Sequence, residues 1–184
     1  MKYSAEEQYQ SMHRAFERVR ALATDIGKTV VIGDHAAADA TKAFFMECYH
    51  FKDYLKKDSR IAAPGDIRAF ITANHALSMA EVLCNSFKHA GPPRSGIRLD
   101  QINMAYSLDI SAAPESGMVS FTRQPSDGDT ITISHSNRIG PAVATAKLIL
   151  TVGGAKHDAV AVATQCITDW DTFLASKCIQ FSKS

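Results

Sequence analysis

The apolar residues of this chain change their spacing twice, and that alternation limits the folds open to it. Up to about residue 91 they recur every three or four positions, the repeat of an amphipathic helix. Between about 100 and 153 they partly alternate, as in strands, and from 155 the helical spacing returns. Strands gathered between helices, rather than alternating with them, predict an α+β fold and not a wound parallel sheet.

The helical part resolves into three pieces. Residues 5 to 26 carry Tyr9, Met12, Phe16, Val19 and Ala23 on one face, with Gly27 placed to end the helix. A short extended stretch then leads to Asp34, a good N-cap for a second helix to about residue 57, with Ala37, Phe44, Cys48, Phe51 and Leu55 as its apolar stripe. Pro64, Gly65 and Asp66 break the chain before a third helix over 67 to 89, which Gly91, Pro92 and Pro93 terminate. Residues 102 to 136 read as an antiparallel meander with turns at 113 to 116 and 125 to 128, and 143 to 152 as a fourth strand. After Gly153 and Gly154, residues 155 to 179 show Ala159, Ala163, Cys166, Trp170 and Phe173 at helical spacing. The expectation is one domain over residues 1 to 184: a four-helix bundle with a small antiparallel sheet inserted between the third and fourth helices.

Composition narrows the function. With 46% hydrophobic and 21% charged residues, 184 positions suffice for one domain with a substantial core. Twenty basic against nineteen acidic residues leave +1, so any attraction for nucleic acid must be local. The first twenty residues are charged throughout, unlike a secretory signal, and no apolar run approaches the roughly 18 residues of a membrane span. Cys48, Cys84, Cys166 and Cys178 form no Cys-x-x-Cys pair, which argues for reduced thiols in a cytoplasmic protein rather than a zinc site or disulfide framework. Gly27-Lys28-Thr29 imitates the end of a phosphate loop, but Leu22 stands where the first glycine belongs. No cofactor and no metal are expected.

The candidate chemistry lies in two polar-rich helical segments. On the third helix Arg68, His75, Val82 and His89 share one row, and Asn74, Ser78, Glu81, Asn85 and Lys88 the next. An arc of this kind usually faces water. Asparagine and serine are poor helix formers, however, and the arc holds few of the lysines and glutamates typical of a solvated face. On the second helix Glu47, His50 and Tyr54 flank the stripe, and His50 and Asp53, three apart, can pair. A histidine with such a carboxylate neighbour is more often structural than catalytic.

Tyr49-His50-x-x-Asp53 on one helix and Asn85-x-x-Lys88-His89 on the next resemble distant members of the HEPN superfamily, over roughly residues 35 to 91 and 155 to 180. The resemblance implies helical-bundle homodimers, many of them ribonucleases acting as toxins or phage-defence effectors, with an arginine followed at a short interval by a histidine. Arg68 and His75 match that interval, six residues lying between them, although Ala69 replaces the polar residue usual after the arginine. Asn85 stands where an arginine would precede His89. On this resemblance His89, Lys88, Asn85, His75 and Arg68 are the candidate catalytic residues, with His50, Asp53, Tyr49 and Glu81 as a supporting polar network.

Metal-independent RNA cleavage needs a base, an acid and a cation for the phosphorane charge, which His89 or His75 with Lys88 or Arg68 could supply. Lys52, Lys56, Lys57, Arg60, Lys88, Arg94 and Arg98 offer phosphate contacts. Two readings follow. One is a non-catalytic binding or regulatory module in a toxin–antitoxin or phage-defence setting, with an RNA or protein partner and no membrane; the other is a metal-independent ribonuclease.

Overall fold

The first helix begins where its sequence can satisfy its own free amides. In the computed structural model Ser4 Oγ accepts from the Glu7 N–H at 3.1 Å while Glu7 Oε2 accepts from the Ser4 N–H at 2.7 Å. This reciprocal pair caps α1 (Ala5–Ala21). The structure describes residues 4–21, 25–26, 29–32, 34–88, 102–111, 119–124, 130–135 and 143–183, and the side chains of 4–21, 38–87 and 149–183. Among the described residues four further helices follow: α2 (Asp34–Leu55), α3 (Gly65–Ala73), α4 (His75–Lys88) and α5 (Ala159–Ser176).

The expected four-helix bundle with one sheet between its third and fourth helices is therefore wrong. The single helix read over 67 to 89 is two, broken at Asn74, which adopts φ −110° and ψ 117°. The polar side chains make the break. Asn74 Nδ2 donates to Phe70 O and Ser78 Oγ to Ile71 O, both at 2.8 Å, so carbonyls at the end of α3 are satisfied without another helical turn. The Ser78 N–H then bonds Asn74 O at 2.9 Å and opens α4.

The strands are not one meander either. Asp25–Ile26 (β1) and Thr29–Ile32 (β2) precede α2, which shortens α1 relative to the expected end at 26. Ile102–Ser111 (β3), Val119–Gln124 (β4), Thr130–His135 (β5), Val143–Val152 (β6) and Ala155–Asp158 (β7) complete two antiparallel sheets. In the first, β3 pairs along all of β6, from Ile102 opposite Val152 to Ser111 opposite Val143. The other edge of β6 receives β1 at Ala144–Thr145 and β7 at Ile149–Val152. In the second, β5 lies between β2 and β4. The β6–β7 turn is Gly153 and Gly154, at φ 59° and 86°, the two positive values that a tight hairpin requires. Residues 155 to 158, read as helix, are thus strand, and Asp158 caps α5 by accepting from the Val160 and Ala161 N–H groups at 2.9 and 3.1 Å.

The core forms between helices. Tyr9, Met12, Phe16 and Val19 of α1 meet Phe44, Cys48, Phe51 and Leu55 of α2, all buried. From α5, Trp170 stands edge-on to Phe51 at 5.2 Å and to Phe173 at 5.9 Å, and lies 6.4 Å from Phe70 of α3. Leu150 and Val152 carry β6 into the same cluster. No described helix is long and apolar enough to cross a membrane.

Past Lys177, Cys178 takes a left-handed φ of 54°, its N–H reaching Ala175 O and the Ile179 N–H reaching Leu174 O at 2.9 Å. This is the bonding of a Schellman cap, with cysteine where glycine is usual. The turn directs the following residues back to α1, where Phe181 packs on Tyr9 and Ser182 bonds Glu6 and Gln10. Cys178 is exposed, so Cys178→Gly loses little packing and relieves the backbone. A thermal melt should show a gain of about 0.5 to 1 kcal/mol; a fall would show that the thiol contributes contacts of its own.

His13 gives a second expectation. It is 9% exposed beside Tyr9, and its Nε2 has no partner among the described residues. Burial holds its pKa below the ordinary imidazole value, against the pull of the nearby Asp171 carboxylate. A histidine kept neutral in the fold takes its proton preferentially on unfolding. Its contribution is present above the ordinary value near about 6.5 and is lost as pH falls through the lowered folded value. Urea denaturation between about pH 8 and 5 should show that decline, and His13→Leu should flatten it.

Candidate functional site

Two polar centres form where the broken third helix meets its neighbours. The first joins α2, α3 and α4. Glu81 Oε1 accepts from the Tyr49 hydroxyl at 2.7 Å and from Arg68 Nη1 at 2.6 Å, so one carboxylate ties three helices. Lys52 Nζ sits 3.6 Å from the centroid of the Tyr49 ring, a cation held on an aromatic face. Burial raises Glu81, but the bonds from Arg68 and Tyr49 outweigh it and leave the carboxyl below its ordinary range. Burial, and then the bond to Glu81, push the Tyr49 phenol well above its own, while Asn85 acts weakly in the opposite sense. At neutral pH the centre is a satisfied set of one anion, two cations and a neutral phenol.

His50 and Asp53 form a neighbouring surface pair, Nδ1 to Oδ2 at 3.6 Å, with Lys52 and Lys56 at 3.5 and 3.7 Å from the same carboxylate. Among the described residues neither His50 nor Asp53 hydrogen-bonds to Asn85; Lys52 is what lies between the two groups. The basic residues read as phosphate contacts are largely engaged as well. Arg60 makes a forked bond to Asp58 at 2.9 and 2.7 Å, and Lys57 lies 5.9 Å from the Tyr54 ring.

The second centre is a cleft of about 470 Å³ between the start of α4, β7 and α5. His75, the first residue of α4, faces His157 of β7 with ring centroids 6.0 Å apart. Asp158 and Asp169 also line the cleft, with Met79 and Val162 supplying apolar wall. Asp169 is only 8% exposed and accepts from the Gln165 amide at 2.8 Å. Among the described residues, its lining contains no lysine or arginine.

The candidate residues are thus divided rather than gathered. Arg68 bonds to Glu81 and His75 turns to His157, and no described hydrogen bond or ion pair joins Arg68 to His75. Lys88 ends α4 with its side chain outside the described residues, and His89, Arg94 and Arg98 lie outside them altogether. Tyr49 and Glu81 do belong to one network, although with Arg68 as a structural partner. His157 and Asp169 were missed. The available signal was Asp158, an N-cap residue directly before an alanine- and valine-rich helical run, which sets the helix start at 159 and leaves His157 on a strand.

Cys166 is closed off as a nucleophile. Burial, and then hydrogen bonding with Cys48, drive the Cys166 thiol well up, and its Sγ donates to Ala76 O at 3.4 Å. Among the described residues no group of three or more metal-ligating side chains stands close enough to hold an ion. No family model matches the chain, and no curated protein or solved structure matches it either.

The network makes an alkaline prediction. A phenol raised in the fold keeps its proton where the unfolded chain has lost it, so its contribution is full below about pH 10 and disappears as pH climbs towards the folded value. Tyr9, raised by burial and then by its bond to Asp171, acts in the same sense. Ultraviolet titration should show two late-ionising phenols. Glu81→Gln should return one of them towards the ordinary range, and a titration unchanged by that substitution would separate Tyr49 from Glu81.

Proposed function

We propose that the chain is a non-catalytic binding or regulatory module of HEPN-like ancestry. In this reading it works in the cytoplasm as a homodimer, in a toxin–antitoxin or phage-defence setting with an RNA or protein partner. The observation that supports it most is the Arg68–Glu81–Tyr49 bond. Cleavage requires a cation free to meet the developing phosphorane, and a guanidinium 2.6 Å from a carboxylate already has its counter-charge. Arg68 and Glu81 of the polar arc are engaged in holding α2, α3 and α4 together.

The ribonuclease reading draws on one observation, the facing His75 and His157 imidazoles, which could serve as acid and base. Against it, the described lining of the cleft they share adds carboxylates and no permanent cation. A phosphodiester brought there would meet like charge.

The test is direct. The purified chain incubated with total RNA should leave it intact, and Arg68→Ala should lower the melting temperature. Degradation of RNA that His75→Ala abolishes, at unchanged melting temperature, would overturn the proposal. Both substitutions fall on exposed side chains, so each variant is expected to fold.

A further inference from the structure

Among the described residues Asp169 is the only buried carboxylate, and no described ion pair compensates it. Asp66 holds Lys177 at 2.6 Å, Asp171 holds Lys183 and Tyr9, and Glu81 holds Arg68. Asp169 is more deeply buried than any of these carboxylates, yet its one described donor is the neutral Gln165 amide. A carboxylate withdrawn from water to this degree is left poorly solvated unless a cation or several donors compensate it. Here it borders a cleft large enough for a small ligand.

The rest of the lining has the same character. His75 and His157 offer ring nitrogens that accept hydrogen bonds when neutral, and Asp158 adds a second carboxylate. Asp158 already accepts two backbone N–H groups of α5, so the end of that helix is closed to an anion. Met79, Val162 and Ala76 provide an apolar side. Acceptors, an aliphatic wall and, among the described residues, no lysine or arginine in the lining describe a receptor for positive charge carried on a short apolar body.

Building on the binding-module reading, the geometry points to a small organic ammonium ion as the ligand of this cleft, with Asp169 as its counter-ion and His75 and His157 as further acceptors. A bare divalent metal fits less well, since the described residues bring no three ligating side chains together. The ammonium donates to Asp169, and its aliphatic part lies against Met79 and Val162.

Calorimetric titration and thermal melts of the full chain with 1,4-diaminobutane, with uncharged 1,4-butanediol and with zinc chloride test this. Binding and a raised melting temperature are expected with the diamine alone. Asp169→Asn should weaken diamine binding by about tenfold or more, the usual effect of removing one charged partner. Because Asp169 is buried, His157→Gln on the hairpin serves as a second variant, with a smaller loss expected. No diamine binding, binding that survives both substitutions, or a response to butanediol equal to that of the diamine would overturn the assignment. Zinc binding lost in His157→Gln without any diamine response would make the cleft a metal site and overturn it too. RNA integrity followed in the same samples separates the two proposals. Degraded RNA removes the binding-module reading, whereas intact RNA without diamine binding removes the ligand alone.

Discussion

The edge-on contact between Trp170 and Phe51 is the interaction on which the helical arrangement depends. Trp170 brings α5 against α2, and through Phe70 against α3. Phe51 passes the contact on to Tyr9 of α1 at 5.8 Å. Four helices thus meet through four rings. Aromatic pairs of this kind add about 0.5 to 1.5 kcal/mol each to the burial of their large surfaces. The polar centres inherit their geometry from this cluster. Tyr49 projects from the helix that carries Phe51, and Asp169 is the neighbour of Trp170.

How legible this was depended on whether a residue's role is written in its own segment. Tyr9, Met12, Phe16 and Val19, then Phe44, Cys48, Phe51 and Leu55, then Ala163, Cys166, Trp170 and Phe173 were readable as core because helical spacing alone selects them. The break at Asn74 was not. Apolar spacing runs through it without interruption, and the deciding events are two side-chain bonds to carbonyls of the preceding turn. The pairing of β1 and β2 with β6 and β5 was also out of reach, since short strands between helices carry no mark of a distant partner. The same limit applied to the sites. Arg68, Glu81 and Tyr49 were identifiable as polar residues needing an explanation, but their bonding to one another cannot be read from a helical wheel.

That bonding also shows what structural work a polar arc on a helix can do. Asparagine, serine, glutamate and arginine on a helix face signal only that something other than water is satisfied. Here Asn74 and Ser78 close a helix end, and Arg68 and Glu81 pin the two halves across the break. The substitution of one long helix by two short ones places His75 at the start of α4, opposite His157. The cleft exists because the helix breaks.

The pairing of β2 with β5 sets an order of assembly. Thr29 opposite Ser134 closes a loop of roughly 100 residues, which on chain statistics costs about 4 kcal/mol in entropy. The β6–β7 hairpin closes across two glycines and runs straight into a capped α5, so it is nearly free of that cost. Local contacts form early and distant ones follow once collapse has shortened the chain's effective reach. The hairpin and α5 are therefore the natural nucleus, and the second sheet a late clasp. Because α2, α3 and α4 all lie inside the loop that the clasp closes, packing of those helices shortens the span its strands must bridge.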